Sequence, residues 1–282
     1  MAHGNAYVLL GSCFSAEMAA HLSADGHRVC SNPFGTLFNP VSIYDSLSRL
    51  ADGRPFVEED CIMMGAGAGF WCDFHHYTRF ARATCQEFLE HANQSLADAS
   101  SAYRDADVLV LTFGTAWCFR YLPQGHPMSG RIVANCLKRP AGEFLRERLA
   151  VEDIVALYRE VVCSQGTFGR PEILPKRIIF TVSPIRHRAD GLQGNMASKA
   201  ILLLACEQLC TPDACPVAPS LAAPVPALPP SALASVPVPV ADYFPAFELM
   251  LDELRDYACY APDGVHPSPE SVRYIYERFK DF

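Results

Sequence analysis

Two apolar segments constrain this chain more than any other feature: "DVLVLTF" from residue 107 and "RIIFTV" from residue 177. A strand with one wet face alternates apolar and polar side chains. A strand covered on both faces does not, and unbroken apolar runs are the mark of a parallel sheet sandwiched between helices. A shorter run at 6–10 reads as a third strand of this type, and "HRVCS" supplies a fourth. Between and after them the spacing predicts helices over 15–25, 41–50, 86–101, 151–162, 194–209, 247–256 and 269–279. The first places Met18, Ala19 and Leu22 on one face, and the last is announced by Ser268 as a cap and Pro269 at its first position. Strands alternating with helices give an α/β fold with a mainly parallel sheet.

The remaining segments read as connections. Residues 61–80 look irregular. Gly65, Gly67 and Gly69 there indicate flexible backbone, because no Lys-Ser/Thr follows to make a phosphate loop. Residues 120–145 read as loop and excursion. Positions 212–240 hold nine Pro and seven Ala, the composition of an extended surface loop. No internal repeat is visible, so the expectation is one domain over 1–282 with an inserted loop at 212–240.

Composition excludes several classes of function. Half the residues are hydrophobic and 19% are charged, enough to build a core. The formal net charge is −8 and no Lys/Arg cluster occurs, which argues against binding a nucleic-acid backbone. No apolar run approaches the ~18 residues of a membrane span. The twelve cysteines are scattered without a CxxC pair and read as buried thiols in a reducing cytoplasm. Cys206, Cys210 and Cys215 come nearest to a zinc spacing, but they run into the Pro-rich stretch, and neither metal nor cofactor is expected. Leu10-Gly11-Ser12 before Cys13 imitates a lipoprotein signal. It lacks a basic n-region and an apolar stretch of about 7–15 residues, so a cytoplasmic location is expected.

Ligands of an open parallel sheet gather beyond the carboxyl ends of its strands. That rule selects Ser12, Gly35, Gly114-Thr115 and Arg186-His187, and "DGVHPS" brings Asp263 and His266 just before the last helix. A serine ahead of a helix is ordinarily a cap. A serine with a histidine and a carboxylate is more than that: His266 can take the Ser12 proton while Asp263 fixes the imidazole tautomer. The helix start beside Ser12 adds free backbone N–H groups where an oxyanion would form. Cys13 is the alternative nucleophile, although a small apolar role suits it better.

"GSCFS" at 11–15, "NPFGTLFNP" at 32–40, "TFGTAW" at 112–117, "VSPIRH" at 182–187, "YFPAFELMLDELRDY" at 243–257 and "DGVHPS" at 263–268 together resemble the GSCFA-domain proteins, taken as a branch of the SGNH/GDSL hydrolase superfamily. The resemblance covers nearly the whole chain outside 212–240. It implies a flavodoxin-like three-layer α/β/α sandwich and a serine esterase, with carbohydrate O-deacetylase as one form. An O-acyltransferase using the same triad, or a ligand-binding protein without catalysis, are the alternatives. It implies Ser12 as nucleophile, Asp263 and His266 as its D-x-x-H pair, and the Gly35 N–H as an oxyanion donor. The superfamily's usual G-x-N after the central strand is here Gly114-Thr115-Ala116, so the amide is missing. Thr115, the Ser12 N–H or Asn135 are the candidate replacements. His75, with His76 beside it, and Arg186 and His187 are candidate substrate contacts, against ordinary surface roles. The partner expected is a small-molecule or carbohydrate ester.

Overall fold

The N-terminal apolar run becomes β1 (Ala6–Gly11), a strand buried at every residue. The computed structural model describes residues 4–65, 67, 69–162, 177–211 and 240–282. Chain order continues with α1 (Cys13–Ala24), β2 (Arg28–Ser31) and α2 (Pro40–Asp52). The Asn39 side chain caps α2 by accepting the Ser42 N–H at 2.9 Å. The two-residue strands β3 (Ile62–Met63) and β4 (Trp71–Cys72) pair antiparallel, and α3 (Cys85–Arg104) opens with a Thr84/Glu87 capping box. Then come β5 (Val108–Phe113), β6 (Trp117–Tyr121), β7 (Ile132–Val133), β8 (Phe144–Arg148), α4 (Val151–Val162) and β9 (Arg177–Val182). The chain ends with α5 (Gly191–Cys210), β10 (Val240–Phe244), α6 (Ala246–Leu251) and α7 (Pro269–Asp281).

The central sheet has the order β10-β9-β5-β1-β2, with every pairing parallel. Alternate side chains of its buried strands leave for opposite layers, as the two-residue strand period requires. Val8, Leu10, Leu109, Leu111, Ile178 and Phe180 pack under α2, α3, α4 and α5. Tyr7, Leu9, Val108, Val110 and Ile179 pack under α1, α6 and α7. The result is a three-layer α/β/α sandwich with a flavodoxin-like strand order. Its reversal of strand order falls between β1 and β5, so a crevice forms outside the ends of these two strands.

Three expectations are corrected. The stretch 120–145 is not loop alone: β6, β7 and β8 form a separate antiparallel sheet. Its polar residues escape a search for apolar runs because they pair with one another across the ladder, as Arg120 Nε does with Glu147 at 3.2 Å. β10 is a fifth strand of the central sheet, lying between the end of the Pro/Ala-rich stretch and the expected helix, where no strand was read. The helix expected over 247–256 closes at Leu251, giving only six residues. The described residues of 61–80 are irregular apart from β3, β4 and a short turn of 3-10 helix at 78–80. The inserted loop assigned to 212–240 lies outside the described residues except for Val240, which begins β10.

Candidate active site

Ser12 follows the last residue of β1 and occupies the N-cap of α1, yet its side chain makes no capping hydrogen bond. The hydroxyl instead donates to Ser183 Oγ at 2.9 Å, in a setting where Ser12 is only 1% exposed. Two features fix its backbone. Gly11 lies so close to β5 that a Cβ there would stand 2.3 Å from the Thr112 carbonyl oxygen, so only glycine fits. Asn32, buried just beyond β2, accepts the Gly11 N–H at 2.8 Å and reaches toward the Ser12 carbonyl at 3.5 Å.

Asp263 and His266 form a compact local unit. The Asp263 Oδ1 accepts the backbone N–H groups of Val265 (2.8 Å) and His266 (3.0 Å), and Oδ2 lies 2.6 Å from His266 Nδ1. The hydrogen bond to His266, followed by those two backbone donors, pulls the Asp263 carboxyl down to about 2. An ionised carboxylate only accepts, so Nδ1 carries a proton and Nε2 of a neutral ring presents its lone pair. Both side chains are about half exposed. His266 lines a cavity of about 210 Å³ with Cys13, Phe14, Glu17 and Ile185, at the same rim as the start of α1. No hydrogen bond joins His266 to Ser12 among the described residues.

The strand-end loops are tied together here. Ser183, just beyond β9, donates its backbone N–H to the Phe113 carbonyl at 2.8 Å. Its hydroxyl accepts the Ile185 N–H at 3.3 Å as well as the Ser12 proton. Beneath it Lys199, 1% exposed on α5, donates to the carbonyls of Ser183 (2.6 Å) and Gly114 (2.7 Å). Burial pushes this ammonium down to about 7, with Asp190 acting in the opposite direction. Arg186 grips the 263–266 turn: its N–H reaches the Val265 carbonyl at 3.2 Å and its guanidinium lies 3.7 Å over the Tyr260 ring.

The oxyanion candidates are largely engaged. Gly35, at φ 90°, donates its N–H to the Asn32 carbonyl at 2.8 Å, and a Cβ there would strike Tyr77 Cβ at 2.3 Å. The Thr115 N–H goes to the Phe38 carbonyl at 2.9 Å, while its hydroxyl pairs with Ser198 (3.0 Å) and accepts the Trp117 N–H (3.1 Å). Asn135 accepts the Leu137 N–H at 2.7 Å. The fully buried Ala116 donates its N–H to Ser198 Oγ at 2.7 Å.

Thr115, His187 and Asn135 share a second cavity, of about 610 Å³, with Phe38, Trp117 and Phe119. Burial and then the Lys199 charge push His187 down to about 4, while Gly114's backbone opposes them, so its ring is neutral near pH 7. His75 and His76 lie elsewhere, on the buried Asp73. His76 is fully buried rather than the exposed loop residue that its sequence context suggested. Cys13 is half-buried, and burial, the largest influence on its thiol, pushes that group up and away from the thiolate.

Sequence reasoning missed Ser183 and Lys199. The signal for Lys199 was present: it repeats with Leu202, Cys206 and Leu209 on the buried stripe of α5. Ser183 stood inside a recognised block without a role.

Ten cysteines are free among the described residues, which also contain no cluster of three or more His, Cys, Asp or Glu able to hold a metal. No helix among them is long and apolar enough to cross a membrane. No curated protein and no solved structure matches the chain. The GSCFA family model matches residues 6–279, and the chain therefore belongs to the GSCFA family.

Proposed function

We propose that this chain is a serine-dependent ester hydrolase of the SGNH/GDSL type, acting on a small-molecule or carbohydrate ester in the cytoplasm. One observation carries the reading: an uncapped, deeply set serine hydroxyl at the start of α1 shares a rim with a preformed Asp263–His266 pair. In the proposed reaction the Ser12 hydroxyl turns from Ser183 to His266, whose Nε2 takes the proton as Oγ bonds to the ester carbonyl carbon. The carbonyl electron pair moves onto its oxygen, near the start of α1. When that intermediate collapses, the bond to the alcohol oxygen breaks and His266 returns the proton to the departing alcohol. Water then repeats the sequence on the acyl-serine and frees the acid. Asp263 steadies the imidazolium formed in each half. A sugar hydroxyl in place of water would make the same chemistry an acyl transfer.

The 610 Å³ cavity supports a polar alcohol part: aromatic faces from Phe38, Trp117 and Phe119 stand beside Asn135 and an Arg146–Asp190 ion pair. A fluorophosphonate probe, together with nitrophenyl esters from acetyl to octanoyl and acetylated sugars, tests the proposal. Wild type is expected to be labelled and to turn over at least one ester, and Ser12→Ala to do neither. Folded wild-type protein that reacts with none of these would leave a binding protein on the same fold.

A further inference from the structure

We infer that Ser183 is a further catalytic residue, whose hydroxyl stabilises the partial negative charge on the Ser12 oxygen while its proton is leaving for His266 and its bond to the carbonyl carbon is still incomplete. The inference rests on the esterase reading above. In the resting arrangement Ser183 Oγ accepts two hydrogen bonds, from the Ser12 hydroxyl at 2.9 Å and from the Ile185 N–H at 3.3 Å. Both of its acceptor positions are thereby used, and one valence remains: its own proton. No acceptor for that proton occurs among the described residues.

When Ser12 passes its proton to His266, the hydrogen bond between the two serines loses its donor. The Ser183 O–H, free of any other acceptor among the described residues, then swings about its C–O bond to donate to the neighbouring Ser12 Oγ. No covalent bond of Ser183 forms or breaks, and its proton stays on its own oxygen. A hydrogen bond made to the charged form of a group favours that form, more so where water is excluded. Ser183 is fully buried, so this donor does not compete with solvent.

Its position is held from three directions: the backbone N–H to Phe113, the carbonyl to the Lys199 ammonium, and the hydroxyl to Ile185. Such fixed placement is what makes a donor effective as charge develops. It also adds a donor to a site where the usual asparagine is Ala116, although this one acts on the nucleophile oxygen rather than on the carbonyl oxygen.

The test compares Ser183→Ala and Ser183→Cys with wild type and Ser12→Ala in kcat, KM, fluorophosphonate labelling rate and melting temperature. Cysteine fills the serine space but donates weakly. Both Ser183 variants should lower kcat and the labelling rate by about 10- to 100-fold with KM little changed. Should Ser183→Ala fail to fold, Ser183→Cys alone must show the deficit. Ser183→Cys with wild-type kcat and labelling would overturn the inference while leaving the esterase reading intact. Undiminished activity in Ser12→Ala, or an inert wild type, would overturn the esterase reading and this inference together.

Discussion

Two turns in this molecule share one construction and differ in burial. Asp73-Phe74-His75-His76 and Asp263-Gly264-Val265-His266 are both D-x-x-H. In each, one carboxylate oxygen accepts the N–H groups of the second and third residues after it, and the carboxylate lies 2.6 Å from the histidine Nδ1. The first pair is sealed. Asp73 and His76 are fully buried, and the His76 ring packs among Phe34, Phe56, Phe80 and Phe88. The second pair is half exposed and faces the cavity beside the start of α1. The spacing therefore makes a carboxylate–imidazole unit, and the surroundings decide its use. In an aromatic box the unit is a structural rivet that places the following loop, where Tyr77 abuts Gly35. On the rim it is the unit that the proposed reaction uses to move a proton.

Exchanging the two fates is the sharpest way to break that comparison. His266→Ala should lower kcat/KM toward an ester by about 10³–10⁴-fold with the melting temperature nearly unchanged. His76→Ala should do the reverse. It is expected to cost about 3 kcal/mol or more in denaturant unfolding, because it opens a cavity and strips a partner from a buried carboxylate. Turnover per folded molecule should change by less than about 5-fold, a small fraction of the His266→Ala loss. If both variants lose activity alike at equal stability, the distinction between rivet and base is wrong.

Acid unfolding sharpens it next. Burial alone would raise the Asp73 carboxyl, but its bonds and proximity to His76 and His75 outweigh burial and hold it well below the carboxylate range. The folded pKa is then lower than the unfolded value of about 3.9, so the stabilisation is complete above that pH and is lost as pH falls through the folded value. Wild type should exceed Asp73→Asn by about 2 kcal/mol near pH 6, with the gap shrinking toward pH 2. Asp263→Asn, whose pair is half exposed and screened by solvent, should show the same sign of acid dependence but a smaller one.

A second pH dependence, from a group of opposite charge, concerns Lys199. Its folded pKa of about 7 lies below the unfolded value near 10.4, so between them the unfolded chain binds more protons. Stability contributed by this residue therefore rises with pH across that window. The difference between wild type and Lys199→Met should grow in favour of wild type by about 1 kcal/mol per pH unit at most from pH 7 to 10. A flat difference would show that the buried amine is not perturbed as its surroundings require.

The legible parts of this fold are those written in long apolar runs. β1, β5 and β9 announce themselves because both their faces are dry, and α7 because Ser268 and Pro269 mark its start. β6 to β8 were hidden because a one-sided sheet with paired charges has no such run. β10 was hidden because it begins at the end of a Pro/Ala-rich stretch, where local composition argues against a strand. The same division holds at the site. Ser12, Asp263 and His266 stand at readable positions, at a strand end and before a helix. The burial of His76 and the pairing of Ser12 with Ser183 depend on which distant segments arrive beside them, and no local pattern records that.

The central claim is that Ser12 carries the acyl group, and mass-spectrometric mapping tests it most directly. Wild-type protein reacted with a fluorophosphonate, digested and fragmented should carry one adduct, on the Ser12 hydroxyl. An adduct on Cys13 or elsewhere, or none on folded protein, would contradict the account.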